Sequence, residues 1–343
     1  MKKTTTIICA LIFGAAALTA QNTVETAAEA AAALQETPAT EAPAPKPVYW
    51  QESVKTNINF TQTSLTNWAA GGFDNVTLGA YIDAHADYAK EKLKWTNRLQ
   101  LDYGFLYSED KPIMQKVKDQ IYFQSNGAYD TPVRNLFYSA DFSFKTQFGN
   151  NFVYGTPAVA DPTKQDWKNA RTIKSGFFSP AYVTLGFGIK WTPAKWLTVN
   201  ASPLTGGFVI VDDAALRKTY GMVVHPRFED VASPEGYMYR TSRFELGAQL
   251  KADISLKVND NFEYSSQLVL FSNYLKNPQN IRVNWDNRFF WKIAKYFTLT
   301  LSTNLIYDDT IRITNEDHPR GYRTAQFKEF LEFGFTYTIA SKK

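Results

Sequence analysis

The sequence predicts an all-β protein: a transmembrane up-and-down antiparallel β-barrel of about 12 strands, exported to the outer membrane of a Gram-negative bacterium. Three observations predict this fold, namely an N-terminal export signal, long stretches of alternating apolar and polar residues, and connections that alternate between short and long. The composition agrees, because 15% of the residues are aromatic while the mean hydropathy is -0.32. No apolar run after the N-terminus reaches the roughly 20 residues of a membrane-spanning helix.

The first 20 residues have the pattern of a secretory signal peptide. Two lysines precede the apolar stretch at residues 7–18, and Ala20 is the small residue expected before the cleavage point. Residues 21–47 are rich in Ala, Pro, Glu and Thr, a composition that cannot bury a core, so we expect a disordered periplasmic spacer there. Cys9, the only cysteine, lies within the signal, and the mature chain is therefore expected to hold neither a disulfide nor a thiol site.

The barrel domain is expected to comprise residues 48–343, where apolar residues recur at every second position. From Phe244 to Val258, for example, apolar and polar side chains alternate without a break apart from glycine. Strands of soluble proteins usually have about five or six residues, whereas a membrane-spanning strand needs about 9 to 11, and many of these runs are that long. The predicted strands are residues 54–62, 75–89, 94–107, 117–129, 135–148, 180–192, 195–208, 237–258, 261–274, 280–293, 295–308 and 326–340.

The connections between these strands alternate in length, which is typical of outer-membrane barrels with short periplasmic turns and longer outer loops. The predicted periplasmic turns are residues 89–94, 130–135, 192–195, 258–261 and 293–296. The predicted outer loops are residues 63–74, 108–116, 149–179, 209–236 and 309–325, with a short exception at 276–279. An even number of strands then places both termini in the periplasm.

The last predicted strand carries Glu332, Gly334, Tyr337 and Ile339 in the sequence EFGFTYTI. This spacing resembles the C-terminal signal that the barrel assembly machinery recognises, although here four residues follow Ile339. The resemblance implies that this machinery is a partner, in addition to the outer-membrane lipids. Nucleic acid is not expected as a partner, because the net charge of +4 is small and evenly spread.

The polar face of the alternating strands is expected to line the lumen. Because both signs of charge occur there, these side chains either pair across the lumen and fill it or line a path for a small polar solute. Asp83, His85 and Asp87 alternate on one strand face, but a single strand supplies ligands too collinear to enclose a metal, and a wall network is the favoured interpretation. We expect no catalytic residue, metal or cofactor. The lumen-lining candidates are Asp83, His85, Asp87, Arg98, Asp102, Arg243, Glu245, Arg282, Asp286 and Arg288.

The first predicted hairpin contains the segment SLTNWAAGG at residues 64–72. It resembles the N-W-x-x-G-G segment of a family of Gram-negative outer-membrane barrels that is known as a domain of unknown function. The resemblance extends roughly from Trp50 to the C-terminus, and it implies a barrel but no substrate, cofactor or catalytic residue. Asn67, Gly71 and Gly72 suit a tight turn, while Trp68 is expected to anchor the hairpin at the interface or inside the barrel.

These observations leave three functions open. The leading one is a channel or transport barrel for small polar solutes, because the inner face is charged and the outer loops are long. The alternative is a plugged barrel with a structural or partner-binding role. The third is an outer-membrane enzyme that depends on His85, His225 or His318, and we do not expect enzymatic activity.

Overall fold

The computed structural model describes residues 48–63, 75–308 and 322–340, which form a closed barrel of twelve antiparallel strands. The first and last strands pair from Ser53 with Ala340 to Asn59 with Gly334, so the sheet closes on itself without an open edge. The barrel strands are β1 (Trp50–Thr63), β2 (Asn75–Lys90), β3 (Leu93–Ser108), β4 (Met114–Asp130), β5 (Leu136–Thr146), β8 (Ala181–Ala194), β9 (Leu197–Ile210), β10 (Ser242–Lys257), β11 (Phe262–Asn273), β12 (Ile281–Lys292), β13 (Phe297–Tyr307) and β14 (Gln326–Ala340).

Two of the long loops contain ordered elements of their own. Between β5 and β8 lie the two strands of a separate small sheet, β6 (Asn151–Tyr154) and β7 (Arg171–Ser175), with helix α1 (Lys164–Asn169) between them. Between β9 and β10 lie helix α2 (Ala214–Arg217) and two 3-10 turns, Pro226–Phe228 and Gly236–Met238. Among the described residues, no helix is long and apolar enough to cross a membrane.

The predicted fold class is confirmed, and each of the twelve predicted strands corresponds to one barrel strand. The largest boundary error is at β10, which was predicted from residue 237 but begins at Ser242, because the loop ends in the 3-10 turn Gly236–Met238. The alternation of short and long connections follows the prediction except between β3 and β4, where the connection predicted as an outer loop comprises residues 109–113 and is no longer than the turn at residues 131–135. The hairpin residues Asn67, Trp68, Gly71 and Gly72 lie outside the described residues.

The two faces of the strands have opposite character. On β10 the outward side chains of Phe244 and Leu250 are 49% and 42% exposed, whereas the inward side chains of Glu245 and Lys251 are buried. Apolar residues outside and polar residues inside suit a barrel whose surroundings are lipid. Exposed aromatic residues lie near both ends of the outer face, where their rings match the headgroup level: Trp95, Trp191 and Trp291 near the short turns, and Tyr107, Phe208 and Tyr274 near the long loops.

Close contact between β8 and β9 requires glycine at position 188. A Cβ atom on Gly188 would lie 1.9 Å from the carbonyl oxygen of Ala201, at the point where the pairing register shifts between Phe187 and Ile189. Nothing lies within 4 Å of the corresponding Cβ position of Gly127 on β4. A side chain at position 188 would therefore clash with the neighbouring strand, whereas a side chain at position 127 would not, so the two glycines can be compared by the same substitution.

We expect Gly188→Ala to lower the free energy of unfolding by about 1–3 kcal/mol, because the added methyl group forces the two strands apart. Gly127→Ala is expected to be neutral or to stabilise the strand slightly, since it removes conformational freedom from the unfolded chain. Urea unfolding of the barrel in detergent micelles measures both changes. Equal effects at the two positions would contradict the close approach of β8 and β9.

Candidate functional site

The lumen is the candidate functional site, because its charged side chains are the only predicted site residues that the structure describes. A barrel of twelve strands is wider than a barrel of eight strands, and side chains can just fill the interior of the smaller one. Contacts across this lumen therefore need long side chains, and Lys, Arg, Gln, Glu and Tyr provide them here. Five groups of residues occupy the interior between the short turns and the long loops, and each is named below for one of its members.

The Asp83 cluster comprises Tyr81, Asp83, His85, Arg98 and Gln100 on the neighbouring strands β2 and β3. Arg98 donates two hydrogen bonds to Asp83, from Nε and Nη2 to the two carboxylate oxygens, each 2.8 Å long. His85 Nε2 lies 3.1 Å from the same carboxylate, and the Tyr81 hydroxyl donates to it at 3.2 Å. Gln100 in turn donates to the Tyr81 hydroxyl at 2.8 Å. Hydrogen bonds therefore connect the side chains of the Asp83 cluster into one network on the wall of the lumen.

This arrangement does not favour a metal at His85. Both oxygens of Asp83 already accept hydrogen bonds from Arg98, and a guanidinium beside the carboxylate repels a cation. Within the part of the chain that the structure describes, no group of three or more His, Cys, Asp and Glu side chains is placed to hold a metal ion. Asp87 lies on the same face of β2, closer to the short turn.

The Arg288 bridge joins opposite walls of the barrel. The Arg288 guanidinium on β12 lies 3.7 Å from the centre of the Tyr81 ring on β2, and its Nη2 atom lies 3.7 Å from Asp102 on β3. Lys118 on β4 donates to Glu332 on β14 at 2.6 Å and lies 4.0 Å from Asp102. Four strands separate β3 from β12 along the shorter way round the sheet, and three separate β4 from β14. These contacts therefore cross the lumen.

Three glycines and one asparagine leave room for the Lys118 side chain. Gly104 and Gly79 stand opposite each other on β3 and β2, and Gly79 stands opposite Asn59 on β1. Asn59 in turn faces Gly334 on β14. Because this row has no bulky side chain, the Lys118 side chain on β4 can extend past these positions to Glu332.

The Gln267 bridge crosses the lumen with neutral side chains. The Tyr122 hydroxyl and Gln124 Nε2 on β4 lie 3.3 Å and 3.2 Å from Gln267 Oε1 on β11, and Gln267 Nε2 donates to Asp253 at 2.6 Å. At least four strands lie between β4 and β11 in either direction round the sheet. Gln124 and Gln267 are each 9% exposed, so water has little access at this level.

The Asp141 cluster lies beside this bridge and joins four strands. Lys251 on β10 donates to Asp141 on β5 at 3.2 Å, and Asn126 on β4 donates to the same oxygen at 2.9 Å. Lys190 on β8 donates to Asn126 at 2.8 Å. Because the paired charges are buried, each one depends on its partner, and the network holds the central wall in one arrangement.

Toward the long loops, the Glu245 cluster, which comprises Arg243, Glu245 and Arg282, connects the lumen wall to the loop between β9 and β10. Glu245 accepts from Arg243 at 2.9 Å and from both terminal nitrogens of Arg282. Arg243 also donates to the carbonyl oxygen of Gly221 at 2.8 Å. Since Arg243 points into the lumen, this bond places the loop between β9 and β10 over the long-loop end of the barrel.

The cap has a small hydrophobic core, which explains why these loops are ordered. Val209, Val211, Leu216 and Met222 are buried together, with Ile173, Tyr220 and Tyr239 against them. The Tyr220 hydroxyl donates to the Lys174 carbonyl at 3.1 Å, and the Asp213 amide donates to Ser179 Oγ at 2.8 Å. These bonds join the two long loops, residues 147–180 and 211–241, into one unit, which we call the cap.

We expect Arg243→Ala to loosen the cap, because the loop between β9 and β10 loses its bond to the lumen wall at Gly221. Limited proteolysis measures this, with cleavage within residues 211–241 rising about tenfold in rate while the barrel strands stay intact. Arg227→Ala, at an exposed arginine of the same loop, is the control and is expected to leave the rate unchanged. Equal cleavage rates in both variants and the parent would contradict the anchoring role of Arg243.

Helix α1 in the cap begins with a capping box. Thr163 Oγ1 accepts from the Asp166 amide, and the Asp166 carboxylate accepts from the Thr163 amide at 2.9 Å. Hydrogen bonds from the Thr163 hydroxyl and amide lower the pKa of Asp166 from its ordinary value of 3.8. The capped form is thus fully stabilised above the pKa of the unfolded chain and loses this stabilisation as the pH falls through the lowered value.

Amide hydrogen exchange at the first turn of α1 is expected to be slow at pH 5 and, after correction for the intrinsic rate, to become faster as the pH falls below the ordinary value of 3.8 and through the lowered pKa of Asp166. Asp166→Asn removes the titrating group, and its exchange is expected to vary less over this pH range. An identical pH response in this variant would show that Asp166 is not responsible.

Asp286 is the remaining lumen candidate. It accepts from Asn304 at 2.6 Å and from Asn284 at 3.0 Å, so neutral amides hold its carboxylate. Lys118, Gln124, Gln267 and Glu332 were absent from the candidate list although they close the lumen. Alternation places all four on the inner face, but only the closed sheet shows which of them meet.

The fold of the chain is similar to solved structures, and part of its sequence matches a family. The translocator domain of the autotransporter NalP from Neisseria meningitidis has a TM-score of 0.37 and 9% identity, covering 85% of this chain and 88% of that one. The COG4313 outer membrane channel from Pseudomonas putida F1 has a TM-score of 0.36 and 10% identity, covering 90% and 100%. No curated protein matches the sequence. Residues 60–152 match the family described as "Protein of unknown function (DUF3078)", so the predicted resemblance to a domain of unknown function is confirmed over these residues, from the end of β1 to the start of β6.

Proposed function

We propose that this protein is an outer-membrane barrel with a closed lumen, which anchors its ordered outer cap in the membrane and presents it for binding. One observation carries the proposal: direct hydrogen bonds and ion pairs join opposite walls at the Arg288 bridge and at the Gln267 bridge. A solute cannot pass either level without breaking them. The short turns are proposed to face the periplasm and the cap the exterior.

The cap supports the proposed presenting role. Its two loops are tied together and to the lumen wall, so their exposed side chains are held in fixed positions. Among these are Phe177, Val223 and Tyr237, which are 55%, 53% and 58% exposed. Presenting a surface of this kind needs a rigid anchor but no open pore.

We also propose that the histidines of the described chain have structural roles. The imidazole of His85 is engaged by Asp83 at 3.1 Å. His225 caps a 3-10 turn, where its Nδ1 accepts from the Arg227 amide at 3.3 Å. A nitrogen that accepts a backbone hydrogen bond is not free to accept a proton from a substrate.

Planar bilayer recordings test the closed lumen. The folded wild-type barrel is expected to insert without steady ionic current, and liposomes that contain it are expected to exclude small sugars. A stable open conductance in the wild type would overturn the proposal.

A channel for small polar solutes is the second candidate, and one observation favours it. Water reaches the closed level from both ends, since Tyr182 near the long loops is 37% exposed and the Glu263 side chain near the short turns is 47% exposed. The bridging side chains are long and flexible, so a signal that separates them would connect the water-accessible part of the lumen at the long loops with that at the short turns. Brief, voltage-dependent openings of the wild-type barrel would support this candidate over a permanently closed one.

A further inference from the structure

The two ends of the barrel differ in charge. The short-turn rim, defined as residues 90–94, 130–135, 193–196, 257–261 and 292–296, contains eight Lys and Arg residues against three acidic ones. The described long-loop segments, residues 109–113, 147–180, 211–241 and 274–280, contain ten Lys and Arg residues against nine acidic ones. The short-turn rim is therefore strongly positive, whereas the long-loop end is nearly neutral.

Most of the positive charge at the rim is not neutralised by the protein. Asp130 lies 3.6 Å from Lys94, and Asp260 accepts from Lys257 at 2.8 Å, which leaves Glu91 as the remaining acid of the rim. Five cations of the rim are exposed and have no ion pair within the described part of the chain, namely Lys90, Lys92, Arg134, Lys195 and Lys295.

These five cations form a ring. They lie in the turns between β2 and β3, β4 and β5, β8 and β9, and β12 and β13, which are distributed around the whole circumference. A compact soluble anion could touch one or two of them at a time. A planar array of anionic groups that surrounds the barrel could touch all of them together.

The aromatic residues place this ring at the depth of lipid headgroups. Trp95, Trp191 and Trp291 are exposed on the lipid-facing side just above the short turns. Lys90 Nζ lies 5.3 Å from the centre of the Tyr49 ring, and Lys295 Nζ lies 5.1 Å from that of Tyr296. Because interfacial aromatic rings lie among the headgroups, ammonium groups beside them meet the phosphates.

We propose that the short-turn rim is a binding surface for anionic phospholipid headgroups and recruits them to the lipid layer around the barrel. Each exposed cation near the surface attracts anionic lipid, and the attraction decays within a Debye length. The inference is independent of whether the lumen is open or closed, because it concerns only the outer circumference of one rim.

Electron paramagnetic resonance of spin-labelled lipids around the reconstituted full-length protein tests this surface. Phosphatidylglycerol is expected to associate with the barrel at least about threefold more strongly than phosphatidylcholine at low salt, and this preference is expected to fall toward one in 0.5 M salt. The rim variant Lys92→Gln/Arg134→Gln/Lys195→Gln/Lys295→Gln is expected to lose most of the preference.

The matched control replaces three lysines and one arginine at the other end, in the variant Lys164→Gln/Lys218→Gln/Arg227→Gln/Lys276→Gln. It is expected to keep the preference of the wild type. Equal association of both lipids with the wild type would overturn the proposal, and so would a preference that survives in the rim variant or disappears equally in the control. Resistance of the barrel to unfolding in cold sodium dodecyl sulfate shows that each variant is folded before its lipids are measured.

Discussion

Replacing Lys118, Gln267 and Arg288 together with alanine is expected to convert a barrel without steady current into one that conducts. These three side chains provide the contacts across the lumen at both bridges, and they come from β4, β11 and β12. Truncation to alanine leaves the strands and their backbone pairing in place but removes the long side chains that meet in the middle. Planar bilayer recording measures the outcome, with long-lived open steps expected in the variant.

The matched control for this prediction replaces the same three residue types in the cap, as Lys164→Ala/Gln165→Ala/Arg171→Ala. It is expected to remain as silent as the wild type, because these residues lie between β6 and β8 and away from the lumen wall. A folded triple lumen variant that stays silent would show that other groups close the barrel.

Arg98→Ala is expected to destabilise the folded barrel by about 3–5 kcal/mol, because it leaves the Asp83 carboxylate buried without its guanidinium partner. The Asp83 side chain is 13% exposed, so water replaces the lost hydrogen bonds only in part. Equilibrium unfolding in urea, followed by tryptophan fluorescence, measures the change. The double variant Asp83→Ala/Arg98→Ala is expected to recover part of the loss, since it removes the unpaired charge as well.

Lys257→Ala is the control for this second prediction. Its partner Asp260 lies in an exposed turn, and an exposed ion pair contributes little to stability because solvent screens it. If Arg98→Ala were no more harmful than Lys257→Ala, the Asp83 cluster would not contribute to stability as its geometry indicates.

Much of the fold could be predicted from the sequence, because strand alternation and turn spacing are local properties. Alternation around Leu250 and Lys251 alone determines which side chain meets lipid and which meets the lumen. The start of β10 was predicted wrongly because aromatic residues such as Tyr237 continue the apolar pattern into the loop, where a 3-10 turn interrupts the strand. Local patterns do not show where such an interruption falls.

The contacts within the lumen could be predicted only in part. Asp83 and Arg98 were both candidates, and they lie on consecutive strands joined by a short turn. Lys118 and Glu332 are 214 residues apart and meet only because the sheet closes and glycines clear the space between them. Glu332 was noticed only as part of the terminal strand's motif. Pairing across a lumen depends on strand number and register, which a single strand's sequence does not contain.

The sequence of the cap contains a helix-capping pattern from which the start of α1 could have been predicted. Thr163 and Asp166 have the spacing of a capping box, with a carboxylate three residues after the capping threonine, and they begin helix α1. The cap's hydrophobic core was harder to foresee, because Val211, Leu216 and Met222 lie in a loop without strand or helix periodicity over a useful length.

Labelling of single cysteines from one side of the membrane tests the closed lumen most directly. Cys9 is the only native cysteine, so with Cys9→Ser each introduced thiol is unique. Tyr182→Cys lies on the long-loop side of the bridges and Glu263→Cys on the short-turn side, while Leu331→Cys on the lipid-facing surface is the control. A membrane-impermeant maleimide added on one side of sealed proteoliposomes is expected to label only the thiol that faces that side. Labelling of both lumen positions from the same side would contradict a closed barrel.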